Sequence, residues 1–256
     1  IEGFAQDNIT GDVEEVVVTA TSRETTVLDV PYNISTISGK EISERVILDS
    51  AELLRSVAGI STIDRGQRNA GTISNIRIRG LNVDSGALSD YPVSAAASVS
   101  TYVDSTPIFA NFLLKDLNRV EILRGPQGTL YGKNSVGGAI NLITARPKFG
   151  ETFGKFSVDM GSFDLLKTKV TLNIPLAETL AVRVAMASIG RDGDIKNIYS
   201  KAKTSHVNDR HSNNFRISLA WDASDRTDVL FVHESYKENS NRHYTNNRYC
   251  QRDPSF

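Results

Sequence analysis

The sequence predicts a small α+β domain, a mixed sheet with short helices, followed by antiparallel strands of a transmembrane β-barrel that the chain is too short to close. Three observations carry this. Residues 117–147 hold two strand patterns separated by a glycine-rich run. Two helix-capping signatures lie upstream. After Pro147 the apolar residues recur at every second position, the period of a strand with two different faces.

The whole-chain numbers exclude several classes. With 256 residues, 29 basic and 30 acidic side chains and a net charge of −1, the chain lacks the basic field that nucleic acid requires. No run approaches the roughly 18 apolar residues of a membrane helix, so any span must be made of strands. A mean hydropathy of −0.25 is compatible with that, because alternating strands keep the average low. Cys250 is the only cysteine, which excludes an internal disulfide framework and a multi-cysteine zinc site. It reads as an unpaired loop thiol or as half of a disulfide whose partner lies beyond Phe256. Residues 1–10 lack the basic start and apolar core of a signal peptide, so the sequence reads as a mature or trimmed chain.

Along the chain, residues 1–20 read as a flexible N-terminus, within which Glu14, Glu15, Val16, Val17, Val18, Thr19 and Ala20 form one extended patch. The following TSRETTVLDVP offers neither a turn nor a nearby partner. An unpaired strand near a flexible end suits addition to another protein's sheet edge; it also reads as the first strand of the domain. Tyr32 to Ile37 alternates as a strand, and Ser38 with Glu41 forms a capping box opening a helix over 40–46. Asp49 with Glu52 repeats the device for a helix carrying Leu53, Leu54 and Val57, with Gly59 at its left-handed cap. Short strands follow at 60–64, at Ile76 and Ile78, and at 101–104.

The run between Arg124 and Ala139 contains Gly125, Gly128, Gly132, Gly137 and Gly138, which suits backbone folded against backbone. Two catalytic readings fail on spacing. A P-loop needs glycine five residues before Gly132-Lys133 and a hydroxyl after it, where Gln127 and Asn134 stand. A nucleophile elbow at Ser135 needs glycine where Lys133 stands. Beyond Pro147, four alternating sets and a less regular fifth over 227–237 read as membrane-crossing strands. They are Phe156/Val158/Met160, Val170/Leu172/Ile174, Leu180/Val182/Val184/Met186 and Phe215/Ile217/Leu219/Trp221. All four histidines read as loop or surface residues, and no metal or cofactor is expected.

AELLRSVAGI, IRIRG, TYVDSTPI and LNRVEILRGPQGTLYG, in this order, resemble the plug of TonB-dependent outer-membrane transporters. The resemblance implies a plug at 21–147 and the first five or so barrel strands within 148–256. It makes residues 14–20 a TonB box, seized by the periplasmic TonB protein. It gives Arg79 and Arg124 the task of pairing with acidic residues of the inner barrel wall. It places the protein in the outer membrane of a Gram-negative bacterium, against outer-membrane lipid, and makes it a transporter rather than an enzyme. The cargo is a small molecule, foremost a ferric siderophore, with a sugar, cobalamin or an aromatic compound as alternatives. Outward plug loops carrying Arg65, Arg68, Tyr91, Phe109 and Phe112 would recognise it. Ser105 departs from the family pattern, which has glycine after the aspartate. Connection lengths agree with an orientation in which 175–179 and 222–226 are short periplasmic turns and 191–212 is a long external loop. A reading of another class, a soluble α/β binding or hydrolytic domain with a β-rich accessory domain, is opposed by the apolar outward face.

Overall fold

The computed structural model describes residues 17–18, 25–26, 33–44, 50–62, 76–81, 99–108, 115–132, 135–198, 204–239 and 241. β1 (Val17–Val18) and β2 (Thr25–Thr26) pair antiparallel, Val17 opposite Thr26 and Val18 opposite Thr25. This corrects the expectation of an unpaired strand. Residues 14–16 and 19–20 lie outside the described residues.

β3 (Asn33–Ser38) runs into α1 (Gly39–Glu44), where the Glu41 amide donates to Ser38 Oγ at 3.2 Å, one half of the expected box. α2 (Ser50–Arg55) buries Leu53 and Leu54. Gly59 is left-handed, φ 78°, but it does not cap the helix as expected. Amide-to-carbonyl bonds from Ser56 to Leu53, Val57 to Leu54 and Ile60 to Val57 tighten the exit into successive turns, and Gly59 serves the last of these. β4 (Ile60–Thr62) then pairs with β5 (Ile76–Ile78), whose two isoleucines are buried.

β6 (Val99–Val103) and β7 (Thr106–Ile108) form a hairpin missing from the sequence reading, because its turn residues, Asp104 and Ser105, carry no glycine. Both are left-handed, φ 46° and 68°, as a two-residue primed turn demands. Asp104 is held by Thr144, whose amide and hydroxyl donate to its two carboxylate oxygens at 2.8 and 2.6 Å. The Ser105 amide donates to Asn141 Oδ1 at 3.2 Å.

β8 (Leu117–Arg124), α3 (Gly128–Tyr131) and β9 (Gly138–Thr144) complete the domain. The sheet order is β3-β8-β9-β6-β7, with β6 and β9 parallel and every other pair antiparallel. β8 is covered on both faces. Val120 and Ile122 join Ile37, Ile42, Leu53, Leu54, Ile76, Ile78 and Val99 in the main core, while Leu123 packs with Tyr102 and Ala139 behind. That explains why Leu123 is apolar on the face opposite Val120 and Ile122, while Glu121, buried on that same second face, is paired with Arg119 at 2.8 Å. Burying each such apolar side chain contributes about 1.5–3 kcal/mol.

Within the glycine-rich run the Gly125 amide donates to the Gly137 carbonyl at 3.0 Å, and the tightest approach of backbone to backbone is at Gly138. A Cβ on Gly138, φ 150°, would lie 2.3 Å from the Leu123 carbonyl oxygen and 2.7 Å from Ile78 Cδ1. Gly128 and Gly132 have open space instead, and the run includes the single turn of α3. The expectation of close packing throughout is corrected accordingly.

A second sheet follows, ordered β10 (Phe153–Gly161), β11 (Leu165–Ala177), β12 (Leu180–Arg191), β15 (Arg210–Ser224) and β16 (Thr227–Glu238). All neighbours are antiparallel. A small pair, β13 (Ile195–Lys196) with β14 (His206–Val207), sits in the long connection. Strands of 9 to 15 residues suffice to cross a bilayer at a tilt. Ala181, Arg183, Ala185, Ala187 and Ile189 of β12 are buried toward the first domain, and Met186 stands outward, 48% exposed. No helix among the described residues is long and apolar enough to cross a membrane.

The outward apolar band is oblique to the cross-strand rows. Its upper limit is Met160 with Leu166 on β10 and β11, then Met186 with Phe215 on β12 and β15, then Phe231 on β16. A level hydrocarbon layer crosses tilted strands in this way.

Two substitutions in the first domain should move its unfolding midpoint in opposite directions. Gly138→Ala forces its Cβ into the Leu123 carbonyl and should cost more than about 2 kcal/mol. Ser105→Gly relieves a left-handed serine costing about 1–2 kcal/mol, less the extra chain entropy of glycine, and should stabilise by about 0.5–1 kcal/mol. Urea titration of the full-length protein, read by a fluorophore on the first domain, checks both signs.

Candidate functional site at the seam between the two sheets

Lys115 and Asp116 stand just before β8, and the left-handed backbone of Asp116, φ 47°, turns this dipeptide against the inner face of the second sheet. Arg183 of β12 grips the Asp116 carboxylate with both arms of its fork, Nη2 to Oδ1 at 2.5 Å and Nε to Oδ2 at 2.7 Å. Arg216 of β15 donates to the Asp116 backbone oxygen at 2.7 Å and lies 3.4 Å from Oδ2. Lys115 reaches the next strand, β16, with Nζ 2.5 Å from Glu234 Oε1. Two adjacent residues thus engage three strands of the wall.

The wall is built to allow this. On β12 the inward neighbours of Arg183 are alanines, leaving space for a long side chain to extend. On β15 the inward row is Arg210, Ser212, Asn214, Arg216 and Ser218, all buried and polar. The Asp116, Arg183 and Arg216 side chains are each at most 7% exposed, so bidentate, charge-assisted bonds replace the lost hydration. Burial is the larger influence on Lys115 and lowers its pKa to about 8, against the pull of Glu234 in the other direction.

The connection to β10 is held by Asn173 of β11. Its Nδ2 donates to the carbonyls of Lys148 and Glu151 at 2.9 and 2.6 Å, and its Oδ1 accepts the Lys148 amide at 2.9 Å. Arg183 stacks over Phe153 at 5.1 Å, closing the seam on the β10 side. Beside it opens a crevice of about 690 Å³ lined by Lys40, Lys115, Lys155, Lys169 and Arg183.

Of the residues singled out from sequence, Arg124 ends β8, at the opposite end of that strand from this seam, and Arg79 follows β5. Arg79 is exposed, and its Nη1 would stand 4.0 Å from a Cβ on Gly125. Arg124 Nη1 donates to Asn33 Oδ1 at 3.3 Å. Neither is in an ion pair among the described residues. Val17 and Val18 form β1, while Glu14, Glu15, Val16, Thr19, Ala20, Arg65, Arg68, Tyr91, Phe109 and Phe112 lie outside the described residues. No metal-holding group of three or more His, Cys, Asp or Glu occurs among the described residues. The sequence reading missed Lys115, Asp116, Asn173, Arg183, Arg216 and Glu234. A signal existed: Arg183 and Arg216 fall on the polar or small face of alternating strands, where a charge needs a partner inside.

Residues 26–139 match the model of the TonB-dependent Receptor Plug Domain family. The iron-regulated outer membrane virulence protein of Vibrio cholerae is 30% identical over 200 residues, covering 75% of this chain and 30% of that protein. This alignment is longer than the plug match, so the likeness extends into the wall strands. The chain belongs to the TonB-dependent outer-membrane receptors. The Yersinia pestis pesticin receptor is 32% identical over 192 residues, covering 73% of this chain and 27% of its own. The structure of the ferric yersiniabactin uptake receptor FyuA from Yersinia pestis superposes with a TM-score of 0.68 at 27% identity, over 79% of this chain and 31% of that one. The chain spans less than a third of the length of these relatives. It is an outer-membrane receptor chain, and the Lys115-Asp116 seam lies between its plug and the first strands of its barrel.

Removing the plug's carboxylate should unseat it. Asp116→Ala leaves Arg183 and Arg216 buried without their partner and should cost about 3–5 kcal/mol, read as a lower urea midpoint for protease cutting of the plug in the full-length receptor. Lys115 adds a pH dependence of defined sign. Its folded pKa is depressed, so the cost of keeping it charged is present below about pH 8. That cost is relieved as pH rises from there toward the ordinary lysine value, because the folded state then binds fewer protons than the unfolded chain. Lys115→Met should flatten this rise in the same assay.

Proposed function

We propose that this chain is the N-terminal part of an active transporter that imports a scarce nutrient across the outer membrane, with a plug over 21–147 and the first five barrel strands within 148–256. The observation that carries the reading is the seam: a folded domain held by buried charge pairs against the inner side of a wall whose outer side is apolar. That is the construction of a plugged barrel, and such barrels have about 22 strands. No bond is made or broken; work enters when the periplasmic TonB protein pulls on residues 14–20. The β1–β2 pairing suits this role because it is slight. Two rungs joined by hydrogen bonds worth about 0.5–1.5 kcal/mol each can be exchanged for a partner's edge at low cost.

For cargo we propose a ferric siderophore. Relatives named for iron regulation and for ferric yersiniabactin uptake support it. Arg65, Arg68, Tyr91, Phe109 and Phe112, of residue types that offer cations and aromatic faces, would suit an anionic chelate with aromatic groups. A second reading, a neutral sugar, cobalamin or aromatic cargo, is favoured by one observation: residues 81–100 contain no lysine or arginine and carry Asp84 and Asp90. Arg79 and Arg124, at the outward end of the plug, would pair with barrel carboxylates beyond the first five strands.

Two experiments test these readings separately. Val17→Pro removes a donor from strand addition and should abolish uptake while leaving ligand binding intact; normal transport by this variant removes residues 14–20 from the coupling step. Replacing both Arg65 and Arg68 by alanine should weaken binding of an anionic ferric chelate by more than about tenfold, roughly 1.4 kcal/mol. Unchanged affinity in the purified full-length receptor moves the assignment to a neutral cargo.

A further inference from the structure

We propose that the outer face of the wall carries a headgroup site for a phosphorylated glycolipid of the outer leaflet. The site rests on the orientation adopted above, in which the long connection between β12 and β15 is external. It consists of two adjacent cross-strand rows. The upper row is Thr168, Ser188, Asn213 and Lys237, aligned by register across β11, β12, β15 and β16. The row beneath is Val170, Met186 and Phe215, ending on Ser235. Together they line a depression of about 190 Å³ on the lipid-facing surface.

The chemistry of the two rows differs as the two parts of a lipid differ. Below, the apolar strip continues through Leu172, Val184 and Ile217, a track for an acyl chain. Above, one cation and several neutral donors sit at the border where the apolar band ends on β12 and β15. Ser188 Oγ donates to Asn213 Oδ1 at 2.8 Å, which leaves the Asn213 amide nitrogen to donate outward. Lys237 is exposed and enters none of the ion pairs among the described residues. A lysine beside an amide and hydroxyls, with no carboxylate among them, is complementary to a phosphate monoester. At about 190 Å³ the depression falls below the roughly 300–1,000 Å³ of pockets that enclose a whole small molecule, but it admits one phosphate and the first carbons behind it.

The test uses full-length receptor stripped of lipid and titrated with bisphosphorylated lipid A, with bound lipid counted by native mass spectrometry. Wild type should bind it, Lys237→Gln about tenfold more weakly, and the same lipid after phosphate removal about tenfold more weakly still than the intact lipid on wild type. Ser235→Lys, which adds a second cation two residues away, should tighten binding and carries the test if Lys237→Gln does not fold. Equal affinity of wild type and Lys237→Gln, or no gain in Ser235→Lys, overturns the site. Phosphatidylglycerol bound as tightly as lipid A overturns the glycolipid assignment. Orientation is read independently by an impermeant maleimide on intact cells: Ile198→Cys, at a position 90% exposed, should react and Glu178→Cys should not. Asn208, in the same connection, is buried and bonded to Asp194 at 2.6 Å, and is unsuitable as a probe. Reversed labelling overturns both the orientation and the site, whereas expected labelling with no lipid preference removes the site alone.

Discussion

One carboxylate, that of Asp116, determines how the two halves of this chain relate. It sits between Arg183 and Arg216, nearly out of water, and each oxygen is satisfied by a guanidinium. A buried charge of this kind has few alternatives. Shift the plug by the width of a strand and the carboxylate loses its fork while two arginines face each other. The apolar cores do not set this relation, because each belongs to its own sheet: the main cluster is made of plug residues and the small cluster at Ala187 and Ile189 of wall residues.

A seat made of charge also separates differently from a seat made of packed hydrocarbon. Pulling apart two apolar surfaces costs in proportion to the area wetted. Pulling apart ion pairs costs their mutual attraction, but water then solvates both sides. The plug is thus held in one register by contacts whose separation exposes neither apolar core. Asn173 works at the other end of the seam, where three hydrogen bonds fix the connection into β10 and so the point from which the wall begins.

The wall's two faces have separate duties. Outward, the apolar band descends from Met160 on β10 to Phe231 on β16, as tilt requires. Inward, the alanines of β12 and the polar row of β15 leave room and partners for plug side chains. The same period of two therefore encodes a membrane surface and a docking surface at once, and the polar ends of the outward rows mark where lipid headgroups begin.

The sequence by itself determined the long wall strands, the first capped helix, which residues of the wall face out, and the family. These are local or periodic properties: Ser38 and Glu41 lie one helical turn apart, and Val182, Val184 and Met186 repeat within one strand. Only the tertiary structure decided what depends on residues distant in the chain. Asp116 and Arg216 are 100 residues apart and no local pattern joins them. Val17 finds Thr26, and the Asp104-Ser105 turn closes without glycine, because partners elsewhere, Asn141 and Thr144 in the latter case, hold it. Gly138 is required by the Leu123 carbonyl and Ile78, neither adjacent in sequence, whereas Gly128 and Gly132, equally visible in the sequence, meet nothing. Periodicity reports which way a side chain points, and only the folded chain reports what it meets there.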